Sequence, residues 1–148
     1  MSGNDPREMF AKSLVEAVGT QGPVIVYSAG FEGARIKELA VVFPELSSQL
    51  LVIVDRFFDL LPVARNHYYH PDMKGSWSIK DILPTISPEL NYANLEVSDG
   101  LMAQEAYKVA ISHETTPERK AEVRRAMLKY CAQDTVAMVK IVHALKGE

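Results

Sequence analysis

A chain of 148 residues, 47% of them apolar, is long enough for one domain with a single core that buries about two-thirds of its unfolded surface. Its formal charge of −3 gives no global pull toward nucleic acid, so binding of that kind needs a local basic patch. One cysteine excludes an internal disulfide, and no apolar run reaches the eighteen or so residues of a membrane span, so the chain is expected to be cytoplasmic with no membrane partner.

The first element is written in "DPREMFAKSLVEAVG". Asp5 before Pro6 reads as a helix start and Gly19 as its stop, which predicts a helix over residues 6–18. "PVIVYS" is short, β-branched and apolar throughout, the pattern of a strand buried on both faces. "FEGARIKELAVVF" places Phe31, Ile36, Leu39, Ala40 and Phe43 at helical spacing until Pro44 stops it. In the next segment "LLVIV" has strand composition, yet Leu46, Leu50, Ile53, Phe57 and Leu61 recur at three- and four-residue steps. The reading is a helix to about residue 57 with Ser48 and Asp55 facing outward, then a short strand near "FDLL".

A turn-rich stretch, "HPDMKGSWS", precedes a short helix at "IKDILPTI". After an irregular loop, "DGLMAQEAYKVAIS" and the segment beginning "PERKAEVRRAMLKYC" read as two helices. The second has Thr116 as its cap, Pro117 in its first position and Gly147 at its end. The sum is a helix-rich α/β chain with two strands in a short parallel sheet and no linker or repeat to divide it.

Four places hold residues with chemical potential. A chain leaving a parallel strand for a helix builds the rim where α/β proteins place ligands, and Glu32 in "YSAGFEGARI" stands on that rim. Tyr130 and Asp134 are four apart on the last helix and project from one face; alone they read as a partly buried tyrosine beside a solvated acid. Ser76 and Lys80 in "KGSWSIK" could meet a phosphate at the start of a helix, or the segment is a turn packed by Trp77 with Ser78 as cap. His67 and His70 lack a matching Cys/His pair and read as an aromatic packing turn. Arg119, Lys120, Arg124, Arg125 and Lys129 form a basic stripe that reads as a solvated face, and Cys131 reads as packing.

Taken together, "SAGFE" and "YCAQD" resemble the second and third motifs of the DEDD 3′–5′ exonucleases, which have a ribonuclease H-like fold. Phe31 and Glu32 match the second motif, with Ser28 where asparagine is usual, and Tyr130 and Asp134 match the third motif of the tyrosine subclass. A closer resemblance runs from about Arg7 to Leu145. It is to a bacterial domain of unknown function, often C-terminal to a RecB-like nuclease region, carried by the blocks "FEGARIKELAVVFPEL", "DRFFDLLPVARNHYYHP", "GSWSIKDILPTISPELNY", "DGLMAQEAYK" and "YCAQDTVAM".

The resemblance implies a single, partial ribonuclease H-like domain over 1–148 whose N-terminal strands are missing. It implies metal-dependent 3′–5′ exonuclease-like hydrolysis in the intact domain, with Glu32 and Asp134 ligating Mg²⁺ or Mn²⁺ and Tyr130 orienting water. Ser76 and Lys80 would contact a single-stranded nucleic acid 3′ end. The chain departs from the pattern in one respect: it contains no D-x-E, the first motif, which supplies two of the four metal-binding carboxylates. Two-metal hydrolysis needs ions about 4 Å apart, which two carboxylates do not readily hold. The chain alone is therefore expected to be inactive, with no metal bound, and the competing reading is a non-catalytic binding or scaffold module. An exposed sheet edge where further strands would lie invites a homodimer or a partner strand.

Overall fold

The computed structural model describes residues 5–147, and of Asn94 the backbone alone. Helix α1 (Arg7–Val18) starts where Asp5 Oδ1 accepts the Arg7 N–H at 3.0 Å and stops at Gly19, whose φ of 62° turns the chain away. Strand β1 (Val24–Val26), helix α2 (Ala29–Val42), a single turn at Pro44–Leu46, helix α3 (Ser47–Asp55), strand β2 (Phe57–Asp59) and helix α4 (Leu60–His67) follow. Beyond a turn at Pro71–Met73 come α5 (Ile79–Ile86), a turn at Tyr92–Asn94, α6 (Gly100–Ile111) and α7 (Pro117–Lys146). Among the described residues the chain divides into two compact units, 5–66 and 67–147.

The first unit carries the sheet. Strands β1 and β2 pair in parallel with Val24 opposite Phe57, Ile25 opposite Phe58 and Val26 opposite Asp59. Parallel strands need a long crossover, and α2 with α3 supplies it. The helix-rich α/β organisation with a short parallel pair is the one the sequence predicted. "LLVIV" is helical as well: Leu50 and Ile53 are 0% and 2% exposed, while Ser48 and Asp55 face solvent. These two pack with Ala11, Ile36, Leu39 and Ala40 into one apolar cluster. Gly33 is buried where α2 passes β2 and α3; a Cβ there would meet Phe57 and Val54 at 3.7 Å.

Two details differ from expectation. Phe31, placed in the apolar stripe of α2, is 70% exposed, with the Arg35 guanidinium over its ring. The strand near "FDLL" is only Phe57–Asp59, because the Asp59 side chain accepts the Leu61 N–H at 3.0 Å and starts α4 at once. Pro62 lies in the first turn of α4, where its missing N–H costs nothing. The loop entering β1 is tied down by Arg56, whose guanidinium donates to the carbonyls of Gly19 (2.6 Å), Gly22 (2.7 Å) and Gln21.

In the second unit α5 and α6 both pack on α7. Thr116 accepts the Arg119 N–H at 3.3 Å to cap α7, and Gly147 closes it with φ 78°. Leu83, Tyr92, Leu95 and Ala137 form a cluster against which Ile79, Leu90 and Tyr130 pack. Full burial of an aliphatic side chain such as Leu83 contributes about 1.5–3 kcal/mol. Among the described residues no helix is long and apolar enough to cross a membrane.

Candidate functional site

In the first unit, the corner between β1 and α2 turns on Ser28. Its φ of 71° and ψ of 63° are left-handed, a conformation that costs a residue with a Cβ about 1–2 kcal/mol. Asp59, opposite Val26 in the sheet, holds the corner. Its Oδ1 accepts the Ser28 N–H at 2.9 Å as well as that of Leu61, and its Oδ2 accepts the Ala29 N–H at 2.8 Å. Burial pushes the Asp59 carboxyl up, but these backbone donors and the Arg65 charge outweigh it and hold the group below the ordinary carboxylate range. One carboxylate thus serves the first turns of α2 and α4 together.

Glu32 lies in the first turn of α2, where the helix dipole favours an acid. Its Oε2 is nevertheless buried with no hydrogen-bond partner. Burial raises its pKa above the ordinary value; its own backbone N–H offsets part of the rise and the Asp59 charge adds to it. Tyr27, at the end of the strand segment, has its phenol pushed up to about 12 by burial. The corner therefore presents a carboxylate oxygen that a cation or a proton would satisfy.

In the second unit Tyr130 and Asp134 stand one turn apart on α7, and both are half-buried. Tyr92, from the turn between α5 and α6, donates its hydroxyl to Asp134 Oδ1 at 2.6 Å. Its ring meets Tyr130 edge-on, centroids 6.1 Å apart at 66°, and Lys80 Nζ sits 5.9 Å from its centroid. Burial, then the charge of Asp134 and a bond to it, pushes Tyr130 up to about 12. Burial and the bond to Asp134 hold Tyr92 far above the ordinary phenol range. Both tyrosines thus keep their protons at neutral pH and act as donors, with Asp134 as the acceptor.

The structure brings Lys80, Tyr130 and Asp134 together in the second unit and places Glu32 in the first. Ser76 is drawn into the start of α5: its hydroxyl donates to Asp81 Oδ2 at 2.5 Å and accepts the Ser78 N–H at 3.3 Å. Trp77 packs that turn, donating to the Tyr68 carbonyl at 3.0 Å, and Ser78 accepts the Lys80 N–H. His70 Nδ1 accepts the Asp72 N–H at 3.2 Å. Cys131, expected to pack, is exposed, because the position after Tyr130 points about 100° further round the helix. Sequence reading missed Asp59 and Tyr92; an acid inside the apolar run "FFDLL" was the available signal for the first, and the second left none.

Glu32 Oε2, being unpartnered, has the chemistry of a cation ligand, and Asp134 offers a second carboxylate with Oδ1 already engaged. Among the described residues no group of three or more His, Cys, Asp or Glu side chains gathers as a metal site.

Comparison with known proteins adds the following. The family described as "Domain of unknown function (DUF2779)" matches residues 1–78, which takes in Glu32 and Asp59 and stops before Lys80. "Uncharacterized protein UU173" of Ureaplasma parvum is 30% identical over 165 residues, covering 96% of this chain and 24% of the relative. "Uncharacterized protein MG366" of Mycoplasma genitalium is 32% identical over 133 residues, covering 80% of this chain and 20% of the relative. The chain thus spans about a quarter of the length of the first relative and about a fifth of the second. No solved structure matches.

Proposed function

The chain belongs to the DUF2779 family, and from that premise we propose that it forms part of a metal-dependent hydrolase that shortens nucleic acid from a 3′ end. Glu32 and Asp134 are its metal-binding carboxylates and Tyr130 orients the attacking water. One observation carries the reading: Glu32 keeps a buried, unpartnered carboxylate oxygen at the strand-to-helix corner, its pKa raised by burial. An acid so placed is a candidate functional group.

When bound, Mg²⁺ or Mn²⁺ would supply Lewis-acid activation of water and charge neutralisation at the phosphate. Tyr130, protonated at neutral pH, donates a hydrogen bond and does not act as a base. Lys80, at the start of α5, offers a positive charge to a phosphate, whereas the Ser76 hydroxyl expected beside it is already donated to Asp81. The chain contains no D-x-E, so its own carboxylates are half the set that the resemblance to DEDD exonucleases implies, and it does not cleave unaided.

Titration of the chain with Mn²⁺, followed by electron paramagnetic resonance, tests the first step. Little binding is expected with the chain alone, and saturable binding that weakens in both Glu32→Gln and Asp134→Asn is expected once a D-x-E strand is supplied. A 5′-labelled single-stranded oligonucleotide with a free 3′ end should remain intact with the chain alone and be shortened once a D-x-E strand is supplied at the N-terminus of the protein, with Asp134→Asn abolishing this. Binding unaffected by either substitution would sink the proposal, and metal binding with no cleavage would leave a non-catalytic module.

A further inference from the structure

We infer that the solvent face of α7 docks an acidic amphipathic helix of a partner protein. The inference goes beyond the hydrolase reading and stands on residues that reading does not use.

α7 runs for 30 residues, whereas α5 and α6, which pack against it, have 8 and 12. At about 100° per residue, Leu128, Ala132, Thr135, Val136 and Val139 share one stripe on the side away from the buried Val123, Ala137 and Ile141. All five are exposed, Leu128 at 58%, Val136 at 42% and Val139 at 50%. The ridge they form is about 16 Å long. A single exposed aliphatic side chain is ordinary. Three in register on one helix, spaced by small residues, make a seam into which another helix packs.

Cations frame the ridge. By helical geometry Arg124 borders one edge, Lys129 and Lys140 the other, and Arg125 and Lys146 stand at its two ends. From Val123 to Lys146 the helix holds these five cations and one acid, Asp134, which is turned to the Tyr92 hydroxyl. The whole chain carries −3, so positive charge is segregated onto this face. Among the described residues none of Arg124, Arg125, Lys129 and Lys140 is in an ion pair, whereas Arg119, nearer the helix start, is held by Glu96 and Glu122.

This pattern selects among occupants. An apolar seam with flanks of one sign is the means by which unlike helices choose partners of the opposite sign. A second copy of this chain would set cation against cation, and no other helix among the described residues carries more than one net negative charge. A phosphate backbone would use the cations and leave the ridge in water. A membrane surface calls for the wide apolar face and aromatic side chains of interfacial helices, and this ridge has three large side chains, none of them aromatic. An acidic amphipathic helix accounts for the ridge and its frame together.

The probe is a fluorescent synthetic peptide of three heptads with leucine at a and d and glutamate at e and g, followed by anisotropy at low salt in EDTA. Saturable binding is expected, and about tenfold weaker binding for the counterpart with lysine at e and g. Leu128→Gln with Val136→Asp, and separately Arg124→Glu with Lys129→Glu, should each weaken binding about tenfold, while Lys108→Glu on α6 leaves it unchanged. All these side chains are exposed, so the far-ultraviolet circular dichroism spectra should not change. Failure of the glutamate peptide to bind, equal binding of the lysine peptide, or as large a loss in Lys108→Glu would overturn the inference. So would binding that falls with the charge reversals alone, which would mark a surface for any polyanion, a nucleic acid included. Co-sedimentation with phosphatidylserine vesicles, lost in Val136→Asp, would assign the ridge to a membrane instead.

Discussion

Asp59 supports two helix starts with one side chain, so Asp59→Asn should destabilise far more than a surface substitution does. Asparagine keeps the shape but loses the charge, and its amide nitrogen must replace one of the two accepting oxygens. Either the Ala29 N–H, or the Ser28 and Leu61 N–H groups together, then face a donor. Each helix cap is worth about 1 kcal/mol and Asp59 supplies two, so the variant should lose up to about 2 kcal/mol, less the strain that Ser28 sheds as the corner relaxes. For a chain of this size that is a fall of roughly 4–8 °C in Tm. Thermal melts by circular dichroism at several pH values are the assay. Because the folded-state pKa of Asp59 lies below the ordinary value of 3.8, its contribution is fully present above that value and is lost as pH falls through the folded one. The gap between wild type and variant should therefore be complete at pH 7 and narrow below pH 3.8. A gap under about 0.5 kcal/mol at pH 7, the scatter of ordinary surface changes, would refute the capping argument. So would one that stayed constant with pH.

Glu32 should behave in the opposite sense. Its folded-state pKa lies above the ordinary value of 4.5, so the favourable contribution of its protonated form is present below 4.5 and is lost as pH rises through the folded value. Glu32→Gln should accordingly melt above wild type at pH 7, with the advantage shrinking toward pH 4; a variant that melts lower at pH 7 contradicts this. At Ser28, where φ is 71°, Ser28→Val should lower stability by about 1–2 kcal/mol in urea melts, whereas Ser28→Asn should be tolerated because asparagine visits that conformation readily. Arg56→Lys cannot span the three carbonyls of Gly19, Gln21 and Gly22, and should cost about 1 kcal/mol and speed amide exchange across residues 19–23.

The features that could be read in advance are those whose cause lies within a turn of the residue. Thr116 and Arg119 are three apart, Asp99 and Met102 three, and Ser78 and Lys80 two; each cap sits beside the helix it starts. The three- and four-residue recurrence of apolar positions decided α3 against its own strand composition, since only a helix buries Leu50 and Ile53 together. The strand near "FDLL" was overextended for the converse reason. Its stop is the Asp59–Leu61 cap, and the same carboxylate is held by Ser28 and Ala29, 31 and 30 positions earlier, partners that no local rule reports.

The same separation divides the candidate site. Glu32 and the Tyr130–Asp134 pair were legible because a strand-to-helix corner and a four-residue spacing are local patterns. Asp59 and Tyr92 were not, since Tyr92 meets Asp134 across 42 positions and carries no periodicity of its own. Each unit therefore follows one arrangement: a carboxylate with possible chemistry, and beside it a residue from a distant segment that fixes its surroundings. Asp59 fixes the corner from which Glu32 projects, and Tyr92 fixes the carboxylate of Asp134 itself. The two differ in what a substitution would disturb. Removing the Asp59 charge acts on backbone N–H groups at two helix starts, whereas removing the Tyr92 hydroxyl acts on a single side-chain oxygen of α7. A search confined to residues that could ligate a metal would find Asp59 but pass over Tyr92.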